Sequence, residues 1–267
     1  MSSIDSLFRE LRSSGRKALM PFVVAGDPDL EFTGAVLREL VARGSSLCEL
    51  GIPYSDPIAD GPVIQESYTR ALSRQLHLAD IFGMVGQLTP EITAPIVTMV
   101  SYAIVYRHGL EKYVADAKAA GVAGAIVPDL PVDEAEELAA ICRAADFSLI
   151  QLVTPTTTRE RAVRIAKTSS GFLYYVSVTG ITGERTELPP DLLENVESLR
   201  GQTDLPICIG FGISLPQHVK MLAPVADGLI VGSAVVRRIA AAGTKDGDQV
   251  LGDVGKYVTS LLDALDG

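Results

Sequence analysis

The apolar residues of this chain fall into eight short runs, and a longer stretch with helical periodicity and charged residues follows each run. Strands are therefore predicted at residues 18–24, 47–50, 95–100, 123–127, 147–153, 172–177, 206–210 and 226–231. Helices are predicted at residues 29–43, 62–73, 78–88, 109–120, 132–145, 158–168, 189–200, 214–222, 232–241 and 247–265. Because the strands are continuously apolar, both of their faces should be covered, as in a parallel sheet wrapped by helices.

Eight strand–helix repeats in 267 residues predict an α/β protein in which residues 1–267 form a single (β/α)8 TIM barrel domain. Leu7, Phe8 and Leu11 share one helical face, which predicts an extra N-terminal helix that closes the bottom of the barrel. An additional helix is predicted near the C-terminus. The competing architecture is a doubly wound open sheet, which usually carries Gly-x-Gly-x-x-Gly after its first strand. Here that turn reads Ala25-Gly-Asp-Pro-Asp29, which favours the barrel.

Composition excludes several classes of function. The formal net charge is −10 and no basic stripe is present, which argues against a nucleic-acid partner. The three cysteines are far apart among apolar neighbours, so they are predicted to be buried free thiols in a reducing compartment. The first residues lack a basic segment followed by an apolar run, and the longest apolar stretches are interrupted, so a cytoplasmic protein without a membrane span is expected.

Two carboxylates belong to one loop after the second strand. Glu49 lies inside the apolar strand, and Asp60 follows eleven positions later in the connection to the next helix. A buried carboxylate is unfavourable unless it is paired, protonated or used in catalysis. A structural ion pair is the alternative for Glu49, and a turn or helix-capping role is the alternative for Asp60. Carboxyl groups in different surroundings can hold different pKa values and so divide acid and base roles.

Glycine-rich turns at the ends of the seventh and eighth strands predict a phosphate site. The first turn is Gly210-Phe-Gly-Ile-Ser214 and the second begins at Gly232-Ser233. Small residues let backbone N–H groups approach an anion, and a helix N-terminus supplies about half a positive charge. Tight turns without a ligand are the alternative, but strands seven and eight are the usual phosphate position of this barrel. The loop from Thr179 to Arg185 is a candidate lid.

Other chemistries lack their residues. No lysine stands at the carboxyl end of a predicted strand, which excludes a Schiff-base mechanism. The three histidines fall in helical stretches away from the strand ends, so no His-based metal site is predicted. Asp56 is interpreted as turn-forming or partner-facing, and Asp129 as either a functional residue or a structural residue at a helix start. Only one of Tyr174 and Tyr175 can point into the barrel, because strand side chains alternate.

Four segments carry a resemblance to a known family. They are Pro21 to Pro28, Glu49 to Gln65, Tyr174 to Gly183 and Gly210 to Ser214, in that order along the chain. Together they resemble the tryptophan synthase alpha chain family, from about Phe8 to Ile239. The resemblance implies a lyase of tryptophan biosynthesis on a TIM barrel, which splits indole-3-glycerol phosphate into indole and glyceraldehyde 3-phosphate.

The resemblance also implies roles for individual residues. Glu49 would be the general acid and base, and Asp60 would hold the indole N–H and stabilise the cationic intermediate. The phosphate would be surrounded by Thr182, Gly183, Gly212, Gly232 and Ser233. The indole pocket would be lined by Phe22, Ile64, Val100, Ile126, Tyr174 and Phe211, with Tyr102 nearby. No cofactor or metal is implied on this chain.

A partner is implied as well. Family members form an alpha2beta2 heterotetramer with a tryptophan synthase beta chain that carries pyridoxal phosphate. The contact region would include Pro53 and Asp56, together with the segment after strand three, where Ile104 replaces an Asn of many relatives. This exchange predicts altered coupling to the partner. Two other classes stay open: another barrel enzyme acting on a sugar phosphate, and a catalytically silent barrel that acts only as a regulatory subunit. A stand-alone lyase that releases indole is a variant of the main interpretation.

Overall fold

The computed structural model describes residues 2–57, 60–177, 191–210 and 212–267. The strands are β1 (Ala18–Val24), β2 (Cys48–Gly51), β3 (Ile96–Met99), β4 (Val122–Ile126), β5 (Ser148–Ile150), β6 (Leu152–Val153), β7 (Leu173–Val176), β8 (Ile207–Gly210) and β9 (Gly228–Val231). The helices are α1 (Ser3–Ser13), α2 (Leu30–Ala42), α3 (Pro62–Leu72), α4 (Leu78–Leu88), α5 (Tyr102–His108), α6 (Leu110–Ala119), α7 (Ala135–Ala144), α8 (Arg159–Thr168), α9 (Leu192–Arg200), α10 (Pro216–Leu222), α11 (Ser233–Ile239) and α12 (Gly247–Asp266).

The strands form one parallel sheet that closes on itself. Its order is β5-β4-β3-β2-β1-β9-β8-β7-β6, so β5 and β6 stand at the two ends. Only Gln151 separates these two pieces, and its carbonyl accepts a hydrogen bond from the Tyr174 amide at 3.1 Å. The predicted strand 147–153 is therefore one strand with a break at Gln151, and it joins the two edges of the sheet. The predicted TIM barrel is confirmed, and the open sheet is wrong.

Helix α1 closes the amino-terminal end of the barrel, as predicted. Ser2 caps the helix, because its hydroxyl accepts from the Asp5 amide at 3.1 Å while the Asp5 carboxylate accepts from the Ser2 amide. Ile4, Phe8 and Leu11 are buried against the residues that fill the barrel. The Phe8 and Phe172 rings lie 5.8 Å apart. Burying this apolar face of α1 shields the amino-terminal end of the barrel interior from water.

Apolar side chains form two layers. One fills the barrel and includes Met20, Val97, Ile126, Ile150 and Ile230. The other lies between the strands and the helices. The two layers follow from the alternation of side chains along continuously apolar strands. No helix in the described ranges combines the length and the hydropathy that a membrane span requires.

One described helix was not predicted. Helix α5 begins after Ser101, whose hydroxyl accepts from the Ala103 amide, and it ends at Gly109, whose φ is +94°. The first residues of the helix, Tyr102 to Val105, closely follow the apolar run of β3 and are themselves apolar, so the sequence shows no clear change from strand to helix there, which explains the omission. The helix places Tyr102 and Ile104 at the carboxyl-terminal rim of the barrel, immediately after β3.

Candidate active site

Glu49 lies in β2, and its side chain faces the barrel interior, because its neighbours Cys48 and Leu50 pack in the outer layer. It pairs with Phe22 of β1 on one side and with Val97 of β3 on the other. The residue is 0% exposed, and neither carboxylate oxygen has a hydrogen-bond partner among the described residues. Burial therefore raises the pKa of Glu49 well above its ordinary value. Burial favours the protonated form of this carboxyl group, which can deliver its proton to a substrate.

Asp60 occupies the loop that follows β2, and its side chain is partly buried. Burial raises its pKa to about 6. The side chain amide of Gln65 donates to the Asp60 carbonyl at 2.7 Å and to the Pro57 carbonyl at 3.3 Å, which fixes the end of the loop. Helix α3 begins at Pro62 with Gly61 as its N-cap, so Asp60 does not occupy the capping position. With this pKa, Asp60 is mostly ionised at neutral pH.

Tyr174 interacts electrostatically with both carboxylates. Its ring is buried in the barrel interior, whereas Tyr175 packs in the outer layer, as alternation along the strand requires. Burial raises the pKa of the Tyr174 phenol, and the charges of Glu49 and Asp60 raise it further. Both carboxylates therefore act on the same ring. Gly210 makes room for it, since a Cβ at that position would lie 2.5 Å from Cζ of Tyr174.

An apolar cluster lies next to Glu49, because it contains Phe22, the residue of β1 that pairs with Glu49. Phe22 and Ile64 belong to one buried cluster with Tyr68, and Met99 packs against both this cluster and the barrel interior. Gly51 admits the Phe22 ring, because a Cβ there would lie 2.5 Å from its Cζ. Among the other predicted pocket residues, Ile126 lies in the barrel interior, and Val100 packs in the outer layer.

Sequence reasoning missed Tyr68 and Met99 in this cluster. Tyr68 is buried, and its ring centroid lies 5.5 Å from that of Tyr54. Desolvation and the charge of Asp60 both raise the pKa of the Tyr68 phenol. The alternation of β3, with Val97 and Met99 on one face, was the available signal for Met99.

The predicted phosphate residues lie at the ends of β8 and β9. Gly212 follows β8 with φ of +79°, a conformation that favours glycine. Gly232 is the N-cap of α11, and Ser233 is its buried first residue. The first N–H groups of a helix lack intrahelical acceptors and can bind an anion. Thr182, Gly183, Phe211 and the candidate lid lie outside the described residues.

The turn after β8 contains a histidine contact that sequence reasoning missed. His218 lies in a helix, as predicted, but it is not remote from the strand ends. Its buried Nδ1 accepts a hydrogen bond from the Ser214 amide at 3.3 Å. The only signal for this contact in the sequence was the spacing of four residues between Ser214 and His218, on either side of the start of the helix.

Asp129 has the structural role that was one of its two interpretations. Its carboxylate accepts from the Ser101 hydroxyl and from the Tyr102 amide, both at 2.7 Å, and so holds the start of α5. Tyr102 is half-buried there, and its ring lies 6.0 Å from that of Tyr106. A loop after β4 thereby positions a helix after β3.

The predicted partner-contact residues differ in exposure. Pro53 is buried, Asp56 is exposed and accepts from the Ser55 hydroxyl at 2.7 Å, and Ile104 is half-buried. Tyr106, one turn after Tyr102, is 70% exposed. An aromatic side chain with that exposure in the same helix as Ile104 marks this part of the rim as a candidate contact surface.

The cysteines are buried free thiols, as predicted: Cys48, Cys142 and Cys208. Burial raises the pKa of Cys48 and of Cys142 to about 12, with the neighbouring Glu49 adding to the effect at Cys48. These thiols are therefore protonated and unreactive at neutral pH. Within the described ranges, no group of three or more His, Cys, Asp or Glu side chains has the geometry to hold a metal ion.

Comparisons with known proteins agree with this geometry. The family model described as tryptophan synthase alpha chain matches residues 8–262. The tryptophan synthase alpha chain of Rhodopirellula baltica is 61% identical over 245 residues, which cover 91% of this chain and 88% of that one. That of Rippkaea orientalis is 47% identical over 266 residues, covering 99% of this chain and 98% of that one.

Solved structures give the same result. Tryptophan synthase subunit alpha from Legionella pneumophila superposes with a TM-score of 0.91 at 35% identity, over 100% of this chain and 99% of that one. A chain of Mycobacterium tuberculosis tryptophan synthase superposes with a TM-score of 0.89 at 30% identity, over 99% of this chain and 98% of that one. The chain therefore belongs to the tryptophan synthase alpha chain family.

Proposed function

We propose that the Glu49 and Asp60 side chains catalyse the cleavage of the carbon–carbon bond in indole-3-glycerol phosphate. The chain is a lyase of tryptophan biosynthesis that splits this substrate. The observation that carries the proposal is the Glu49 carboxyl group, which is fully buried and has no partner among the described residues. Its raised pKa keeps it protonated until a substrate offers a basic carbon. The proposed domain is the whole chain, residues 1–267.

The proposed reaction moves one proton in and one proton out. Protonated Glu49 donates to C3 of the indole ring, which gives a cationic indolenine that keeps its N–H. Ionised Asp60 accepts a hydrogen bond from that N–H and stabilises the positive charge. The Glu49 carboxylate then removes the proton of the hydroxyl on the adjoining carbon. The bond between that carbon and C3 breaks, its electrons restore the neutral indole, and glyceraldehyde 3-phosphate forms.

The remaining predicted residues bind the substrate in this proposal. Phe22, Ile64 and Tyr174 contact the indole, with Val100, Tyr102, Ile126 and Phe211 in its surroundings. Gly212, Gly232 and Ser233 bind the phosphate, together with Thr182 and Gly183 of the lid. The chain itself needs no cofactor or metal, because every step is a proton transfer or an electrostatic contact with a protein group.

Indole release by the Glu49→Gln variant tests the proposal. We expect turnover of indole-3-glycerol phosphate to fall about 10²- to 10⁴-fold, because Gln cannot exchange a proton with C3 or the hydroxyl. Cys48→Ala is the matched control, since it alters a buried neighbour that takes no part in proton transfer. Turnover within about threefold of the unaltered chain in Glu49→Gln would contradict the acid–base role. Wild-type protein without indole release would favour a different sugar-phosphate substrate.

We further propose that the chain works in the cytoplasm with a tryptophan synthase beta chain that carries pyridoxal phosphate, as an alpha2beta2 heterotetramer. Exposed Asp56 and Tyr106, together with half-buried Ile104, support a contact surface on the carboxyl-terminal rim. Pro53 supports the loop from within, because it is buried.

Ile104→Asn tests this surface. We expect the variant to change the stimulation of indole release by a beta chain several-fold, and to leave turnover of the isolated chain unchanged, because Ile104 belongs to α5 and both carboxylates belong to β2 and the loop after it. Stimulation curves over a range of beta-chain concentrations measure the effect. Glu136→Gln, an exposed residue of α7 that pairs with Arg143 at 2.6 Å, is the control. Identical curves for all three proteins would argue against Ile104 as a contact.

A further inference from the structure

Helix α12 contacts the turn that follows β8 through one tyrosine. Tyr257 is 9% exposed, and its hydroxyl donates to the Ser214 carbonyl at 2.8 Å. The Ser214 amide donates in turn to Nδ1 of His218, so both backbone polar groups of Ser214 are held by side chains. Buried backbone groups require such partners. The conformation of this turn therefore depends on a residue 43 positions further along the chain.

The same tyrosine contacts the helix that follows β9. The Arg238 guanidinium carbon lies 3.5 Å from the centroid of the Tyr257 ring. Arg238 also donates from Nη1 to the Ala234 carbonyl at 2.6 Å, in the first turn of α11. A guanidinium over an aromatic face is attracted by the ring quadrupole. Tyr257 thus contacts the turn after β8 with its hydroxyl, and it contacts α11 with its ring.

We infer that Tyr257 is a positioning residue for substrate phosphate, because it fixes the turn containing Gly212 relative to the turn containing Gly232 and Ser233. This inference rests on the proposed function, in which both turns bind the phosphate. Backbone N–H groups bind a phosphate well only when their directions are set in advance. Tyr257 contacts the first turn directly and the helix that follows the second turn through Arg238, so one side chain supplies that preorganisation from outside the pocket.

Nothing in the sequence of α12 signals this role. Tyr257 stands on the apolar face of an amphipathic helix, where a ring is ordinarily a packing residue. Its hydroxyl distinguishes it from the other large side chains on that face, because a buried phenol requires a polar partner. That partner is the Ser214 carbonyl of the proposed phosphate site.

Tyr257→Phe separates positioning from packing. The ring and its contact with Arg238 remain, and the hydrogen bond to the Ser214 carbonyl is lost. We expect the Michaelis constant for indole-3-glycerol phosphate and the inhibition constant of inorganic phosphate to rise about 3- to 10-fold. The turnover number should stay within about twofold, because weakened uniform binding changes the Michaelis constant alone. Tyr257→Leu, which also removes the ring, should raise both constants further.

Tyr113→Phe is the matched control. Tyr113 is a buried tyrosine in α6 whose hydroxyl lies 2.7 Å from the Thr98 hydroxyl, remote from the two turns. It should lose comparable stability without a change in phosphate inhibition, and thermal unfolding of each variant verifies folding. Unchanged phosphate inhibition in folded Tyr257→Phe, or an equal rise in Tyr113→Phe, would overturn the inference. Wild-type protein that inorganic phosphate does not inhibit would instead overturn the proposed phosphate site.

Discussion

Asp227 and Glu49 are both buried carboxylates, and they lie toward opposite ends of the barrel. Asp227 precedes β9 at the amino-terminal end, where it accepts from Arg12 at 3.1 Å, from Arg200 at 2.8 Å and from the Ile207 amide at 2.9 Å. Glu49 of β2 has no partner among the described residues. Burial alone would raise the pKa of Asp227, but these hydrogen bonds outweigh it and lower the pKa.

The difference shows what each end of the barrel contributes. Asp227 links α1 and α9 to the strands, so its charge is satisfied by the fold. The carboxyl group of Glu49 is left for a substrate. A buried carboxylate that has hydrogen-bond donors can remain ionised in the folded protein. A buried carboxyl group without partners lowers the stability of the fold, and a catalytic role explains why such a group is present. In this fold, catalytic groups lie at the carboxyl ends of strands and stabilising groups at the amino ends.

The largest effect that would sharpen this comparison is expected for Asp60→Asn. Indole release should fall on the order of 10²-fold, because a neutral amide cannot stabilise the cationic ring. In the unaltered chain, kcat/KM should decrease as the pH falls through about 6, where Asp60 takes up a proton. The variant should lose this acid limb. A pH profile of both proteins measures the effect, and a limb that persists in the variant would contradict the assignment.

Asp227→Asn addresses the other end of the barrel. We expect unfolding free energy to fall by about 2 kcal/mol at neutral pH, since hydrogen bonds to two cations are weakened. Because the pKa of Asp227 is lowered by folding, its stabilisation is present above the unfolded pKa of about 4 and is lost as the pH falls through the folded value. Urea unfolding at several pH values measures this dependence.

The control for Asp227 is Asp133→Asn, which alters an exposed pair with Arg164 and should leave stability nearly unchanged. Indole release should be normal in both variants. Activity that disappears in folded Asp227→Asn protein would break the separation between the two ends.

The smallest effect expected is a gain of stability in Glu49→Gln. Folding raises the pKa of Glu49, so the carboxyl group favours the native state below its unfolded pKa, and this contribution is lost as the pH rises through the folded value. Gln carries no such penalty. The variant should therefore match the unaltered chain at low pH and exceed it increasingly toward high pH. Thermal unfolding across that range measures the difference, and a destabilised variant at high pH would contradict it.

Much of the fold could be predicted because its signals are local and repeated. The run of residues 18–24 coincides with β1, and the prediction for residues 78–88 coincides with α4. Helix α5 and the break at Gln151 could not be predicted in this way. The apolar start of the helix closely follows the apolar run of β3, and the break appears only when the sheet closes.

The candidate site divides in the same manner. Glu49 stands out in the sequence because a carboxylate interrupts an apolar strand. Tyr68, His218 and Tyr257 carry no such signal, since each sits in a helix where an apolar or polar neighbour is ordinary. Their positions depend on contacts between distant segments, such as the hydrogen bond from Tyr257 to Ser214. The absence of partners around Glu49 is likewise a property of the folded chain.

The close approach of the Tyr174 ring to Gly210 has an evolutionary consequence. With tyrosine in place, even one methyl group at position 210 collides with the ring. A smaller side chain at position 174 would remove the three nearest atoms that a Cβ at position 210 meets. The two positions are therefore epistatic, and the order of substitutions determines which sequences a descendant lineage can reach.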